Sequence, residues 1–121
     1  MNKPAARISA LSLSLLLMAG CATTSLTSAP ESPGQSQALA LIEQGKPRDA
    51  ALQLEGLAAT LRGGARANAL ADAAWAWNLA GDSARARSLL GQLTARQLSG
   101  ASLQRYQLTG AELALADKQP A

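Results

Sequence analysis

A recurrence at a spacing of 36 residues limits what this chain can fold into more than any other feature of its sequence. Gly45, Gly81 and Asp117 fall in register, and the same offset superposes Leu41, Trp77 and Leu113 ahead of them. After the turn it places Ala50 on Ala86, Leu54 on Leu90 and Leu57 on Leu93; one step earlier Leu70 matches Tyr106 and Ala74 matches Gly110. The pattern describes a first helix carrying a large residue, then a small one four positions on, then a large one three beyond that. The small residue lets a second helix come close. That second helix supplies Ala and then Leu four and seven positions later, all on one face. A single pair would leave this face bare, so successive antiparallel pairs are expected to stack into a short solenoid. The twelve of these positions that are neither glycine nor Asp117, from Leu41 to Leu113, are the expected core.

Everything after Ser36 reads as helix. Gly45 with Pro47, Gly63-Gly64, Gly81-Asp82 and Leu98-Ser99-Gly100 divide it into five segments, with Pro47 in a first turn and Ser99 at an N-cap. No stretch alternates apolar and polar residues over the length of a strand, so the fold class is all-α. There is no Phe, and Trp75, Trp77 and Tyr106 are the only aromatics; a core of Ala and Leu suits close helix packing.

The N-terminus has a separate logic. Lys3 and Arg7 precede an apolar run from Ile8 to Met18, which is too short to span a bilayer, a task that takes roughly 20 residues. Residues 1–20 therefore read as a signal peptide. Its end, Met18-Ala19-Gly20-Cys21, resembles the bacterial lipobox, with Met18 where Leu is commoner. The resemblance implies cleavage between Gly20 and Cys21 and attachment of diacylglycerol and palmitate at Cys21. Cys21 is the only cysteine, so no internal disulfide competes for it. An ordinary secretory signal with a structural cysteine nearby is the alternative. Residues 21–36, rich in Ser and Thr and interrupted by Pro30 and Pro33, read as a disordered tether, and residues 37–121 as the helical domain with its last unit incomplete.

Without residues 1–20, nine basic residues face eight acidic ones, and the basic residues are spread singly. That balance argues against a nucleic-acid partner. Catalysis has little to work with. There is no His, and the one thiol is taken by lipid; a hydroxyl nucleophile would need Lys46 or Lys118 as base. Asp49 and Glu55 lie six positions apart and point to different faces, and with Asp72 they read as solvated charges. Neither a metal-ligand set nor a calcium loop is present. The expectation is a non-enzyme with no metal, no cofactor and no small-molecule substrate.

Leu70, Ala73, Ala74, Trp77, Gly81, Ala86, Leu90 and Leu93 fall at the signature spacings of the tetratricopeptide repeat, which this stretch resembles. Ala38, Leu41, Gly45, Ala50, Leu54 and Leu57 fit in the preceding unit; the family's Pro closing the second helix is missing. An unrelated antiparallel bundle is the alternative architecture. Residues two apart on a helix point about 200° from one another, so Trp75 and Trp77 cannot share a face. With Trp77 in the core, the resemblance places Trp75 on the concave side with Asn68, Ala71, Asn78 and Leu79. Asn68, Trp75, Asn78 and Leu79 are there the candidate partner-binding residues; the competing reading packs Trp75 against the preceding pair.

A narrower resemblance is carried by Gly81-Asp82-Ser83-Ala84-Arg85-Ala86-Arg87-Ser88-Leu89-Leu90, by Arg105-Tyr106-Gln107-Leu108 and by Ala111-Glu112-Leu113-Ala114-Leu115-Ala116. With the lipobox and tether, they look like the N-terminal region of the penicillin-binding protein activator lipoproteins. That family continues into a second, periplasmic-binding-protein-like domain with no counterpart in this sequence, so the expectation is a piece of such a protein or a short relative. The implied role is an outer-membrane lipoprotein facing the periplasm that supports a bifunctional peptidoglycan synthase through protein–protein interaction. Ala22 agrees, since the Asp that usually retains lipoproteins at the inner membrane is absent. The alternative is a free-standing adaptor lipoprotein of tetratricopeptide type that binds a periplasmic peptide or protein.

Overall fold

The computed structural model describes residues 31–118, which form five α-helices and no strand. The helices are α1 (Pro33–Glu43), α2 (Pro47–Ala59), α3 (Gly63–Leu79), α4 (Ser83–Leu90) and α5 (Gly100–Lys118), with a short 3-10 turn at Ala95–Gln97 before α5. The fold is all-α, divided where the glycines and prolines divide the sequence. None of these helices is long and apolar enough to cross a membrane. The signal peptide, Cys21 and most of the tether lie outside the described residues.

Local chemistry sets the helix starts. Pro33 and Pro47 occupy first-turn positions, where a missing N–H costs nothing. Ser32 Oγ accepts from Gln35 N–H at 3.2 Å, and the Asp82 carboxylate accepts from Arg85 N–H at 3.0 Å. Helix α1 therefore begins at Pro33, inside the segment expected to be tether up to Ser36. Proline marks a helix start here, not a break, and Gln35 is buried.

The 36-residue recurrence is visible in the backbone. At the end of α1, Lys46 N–H donates to Leu41 C=O (2.8 Å) and Gly45 N–H to Ile42 C=O (2.9 Å). At the end of α3, Asp82 N–H donates to Trp77 C=O (2.9 Å) and Gly81 N–H to Asn78 C=O (3.0 Å). Both are Schellman turns, and both need a left-handed residue, supplied by Gly45 at φ 79° and Gly81 at φ 87°. The third member of the register, Asp117, makes no such turn: α5 runs through it to Lys118.

Helix α3 is the centre of the domain. It packs against α2, α4 and α5 and touches α1. Ala67, Ala69, Ala71, Ala73, Ala74 and Ala76 are all buried, so neighbours close on α3 from several sides. Contacts across the α3–α5 seam advance in the same sense along both helices: Asn68 meets Ser99, Asp72 meets Arg105 and Asn78 meets Glu112. The two helices therefore run parallel, each being the first after a turn. Of the expected core residues, Ala50, Leu54, Leu70, Ala74, Trp77, Ala86, Leu93 and Leu113 are buried. Leu41, Leu90 and Tyr106 pack on the core while partly exposed, and half-buried Leu57 lies over Gly34.

Trp77 is fully buried and anchors this core. Its indole N–H donates to Glu55 Oε2 at 2.6 Å, and the guanidinium carbons of Arg85 and Arg48 lie 4.5 and 5.6 Å from the ring centroid. A buried indole needs a partner for its N–H, and Glu55 provides it. Glu55 is thus a structural acceptor and not a purely solvated charge.

Candidate functional site

Parallel packing of α3 and α5 brings one line of side chains to the open side of the seam. Trp75 is half-buried, and the guanidinium carbon of Arg105 sits 5.1 Å from its ring centroid. One turn on, Leu79 is 47% exposed. On α5, Leu108 and Leu115 are 50% and 62% exposed, three positions beyond Arg105 and Glu112, both of which reach α3. The seam thus carries a partly buried aromatic ring under Arg105 and the exposed Leu79, and α5 adds two further exposed leucines.

The two amides expected beside Trp75 are engaged elsewhere. Asn68 accepts from Ser99 N–H at 3.1 Å and donates to Ser99 Oγ at 3.2 Å, which caps the start of α5. Asn78 donates to Glu112 at 2.7 Å. Both residues bond across to α5 and hold the seam together. Ala71 is fully buried. Trp75 and Leu79 are the two expected partner-binding residues whose exposed surface is not committed to such a bond, and Trp75 stacks with Arg105 of α5.

Beneath Trp75 lies a polar cluster. Asp72 is fully buried, which overturns its reading as a solvated charge. Its carboxylate accepts from Gln35 Nε2 at 2.6 Å and from Arg105 Nη1 at 3.1 Å; Arg105 Nη1 also reaches Glu31 at 3.0 Å, and Gln35 Nε2 reaches Ser102 Oγ at 3.3 Å. Three helices thus meet through one carboxylate. Burial pushes the Asp72 carboxyl above its ordinary value, and the hydrogen bonds and the Arg105 charge offset only part of that. For Arg105, burial acts to lower the value, yet the facing Asp72 and Glu31 raise it further, so it stays charged.

Above Gln35 and Ser102 a cleft of about 540 Å³ opens between the first turns of α1, α3 and α5, also lined by Glu31, Ser32, Asn68 and Ser99. Its polar lining of amide, hydroxyl and carboxylate groups is interspersed with Leu61, Ala65 and Ala101. Arg105 and Asp72 escaped the sequence reading. A usable signal was present: from Ala67 to Trp77 only Asn68 and Asp72 interrupt an apolar run, and a helix apolar nearly all round is a buried one. A carboxylate in such a helix requires a cation from a neighbour.

Comparison of the chain with protein-family models, with curated proteins and with solved structures gives no match.

Proposed function

We propose that this chain is a non-catalytic adaptor lipoprotein, anchored through Cys21 to the periplasmic face of the outer membrane, which binds a protein partner along the α3–α5 seam. The partner class implied by the resemblance to the penicillin-binding protein activators is a bifunctional peptidoglycan synthase, and the stacking is of the tetratricopeptide type. The observation that carries the binding surface is the half-buried Trp75 with the exposed Leu79 on α3 and the exposed Leu108 and Leu115 on α5, because aromatic and aliphatic side chains left open near charges are what a protein interface uses. The recurrence of one Schellman turn after 36 residues and the parallel course of α3 and α5 support the stacking. The anchor rests on Met18-Ala19-Gly20-Cys21.

Two measurements test the reading together. In cells fed radiolabelled palmitate, the chain is expected to carry label and Cys21→Ser to lose it; equal labelling of both rejects the anchor. A photo-crosslinking residue at position 79 is expected to trap the synthase, whereas the same residue at Gln53 on the outer side of α2 is not. Equal trapping at both positions, or trapping of neither, rejects the seam as the docking surface.

A further inference from the structure

The side chain of Arg105 belongs to two structures at once. Its guanidinium stacks on Trp75, which lines the proposed binding surface, and its Nη1 holds Glu31 and Asp72, which with Gln35 join α1 to α3 and α5. Helix α1 packs its apolar side on α2. Polar contacts tie it and the residue two before it to α3 and α5: Gln35 to Asp72, Gln35 to Ser102, and Glu31 to Arg105. Polar contacts of this kind lose their worth when one partner moves, since the groups left behind are buried and unpaired.

We infer that Arg105 couples the seam to α1, so that a group taking the face of Trp75 that Arg105 covers displaces the guanidinium and loosens α1 from α3 and α5. The inference rests on the seam being the binding surface. Coupling is reciprocal, so a loosened α1 leaves Trp75 freer to accept an occupant. The output is mechanical. Helix α1 is the element nearest in sequence to Cys21, so occupancy of the seam is transmitted to the part of the domain next to the proposed anchor in the chain.

The test needs no partner. Amide hydrogen exchange is followed in α1 and, as reference, in α4, using the full chain with Trp75→Leu, Glu31→Gln and both together. Each single change is expected to speed exchange in α1 by about two- to fivefold with α4 unchanged, as the loss of one stacking or ion-pair contact would. The double variant is expected to fall at least twofold short of the product of the singles, because both act through Arg105. Trp75→Tyr, which keeps an aromatic face, is expected to exchange like the parent. Multiplicative effects, α4 accelerating alongside α1, or Trp75→Tyr behaving as Trp75→Leu would each overturn the coupling. Failure of position 79 to trap a partner would reject the binding surface yet leave these exchange rates as predicted, so the two failures can be told apart.

Discussion

The carboxylate of Asp72 and the guanidinium of Arg105 meet at 3.1 Å across the α3–α5 seam, and the carboxylate is wholly out of water. Removing one member of a buried pair strands the other, which is far more costly than the pair itself is stabilising. Arg105→Met is therefore expected to lower unfolding free energy by on the order of 3 kcal/mol. Adding Asp72→Leu to it should recover at least half of that loss. Urea denaturation decides the matter, and a double variant less stable than Arg105→Met would contradict the account. The exposed pair of Arg87 with Asp117 is the contrast: its two bonds of 2.7 and 2.9 Å are well formed, yet Arg87→Met should scarcely move the midpoint.

The same carboxyl gives the domain a pH dependence of definite sign. Folding raises the Asp72 value above 3.8, chiefly through burial, so the folded state holds this proton more tightly than the unfolded state does. That contribution is fully present below 3.8 and is lost as pH rises through the raised value, since the unfolded chain then gives up its proton first. Asp72→Asn carries no such proton. The parent's stability relative to Asp72→Asn is expected to decline as pH climbs above 3.8, at up to about 1.4 kcal/mol per unit while only the folded carboxyl is protonated. A parent-minus-variant difference that rises over this range would reverse the assignment.

The turns were legible in the sequence because their chemistry is local. A Schellman turn needs one left-handed residue at a fixed place, and Gly45 and Gly81 state that requirement in single letters. The start of α1 was misplaced for a related reason: Pro33 serves equally in a tether and at a first helical turn, and Ser32 decides between them only once the helix exists. The burial of Asp72 could have been read from its apolar helix, but its partners Gln35, Ser102 and Arg105 could not, because they come from two other helices and are joined to it only by tertiary packing. Asn68 and Asn78, expected beside Trp75 as partner-binding residues, are bonded instead across to α5. Their bonding to Ser99 and Glu112 depends on where α5 lands, which no spacing within α3 encodes.

Glycines in different settings should respond oppositely to one methyl group. At Gly81 a Cβ meets no neighbour, so the cost of Gly81→Ala is the left-handed backbone alone, about 1 kcal/mol. Gly56 lies inside α2 with ordinary helical backbone and open space around its missing Cβ. Gly56→Ala is expected to stabilise by about 0.5–1 kcal/mol through reduced freedom of the unfolded chain. Thermal melts of the two variants should shift in opposite directions, and a shared direction would mean that the α2 or α3 boundaries are misplaced.

The two tryptophans separate folding from binding. Trp77 is enclosed on all sides with its N–H committed to Glu55, so Trp77→Ala should cost about 3–5 kcal/mol and leave a partly melted domain. Trp75 loses to alanine only a half-buried ring and its stack with Arg105, about 1 kcal/mol. If the seam is the docking surface, Trp75→Ala should keep its helical circular dichroism and a cooperative melt while losing at least tenfold in affinity for the partner trapped at position 79. Should Trp75→Ala instead melt the domain as Trp77→Ala does, the ring is part of the core, and an exposed aromatic can no longer be assigned to partner binding. Retained folding with unchanged affinity would instead shift the interface away from α3, toward the outer faces of α2 and α4.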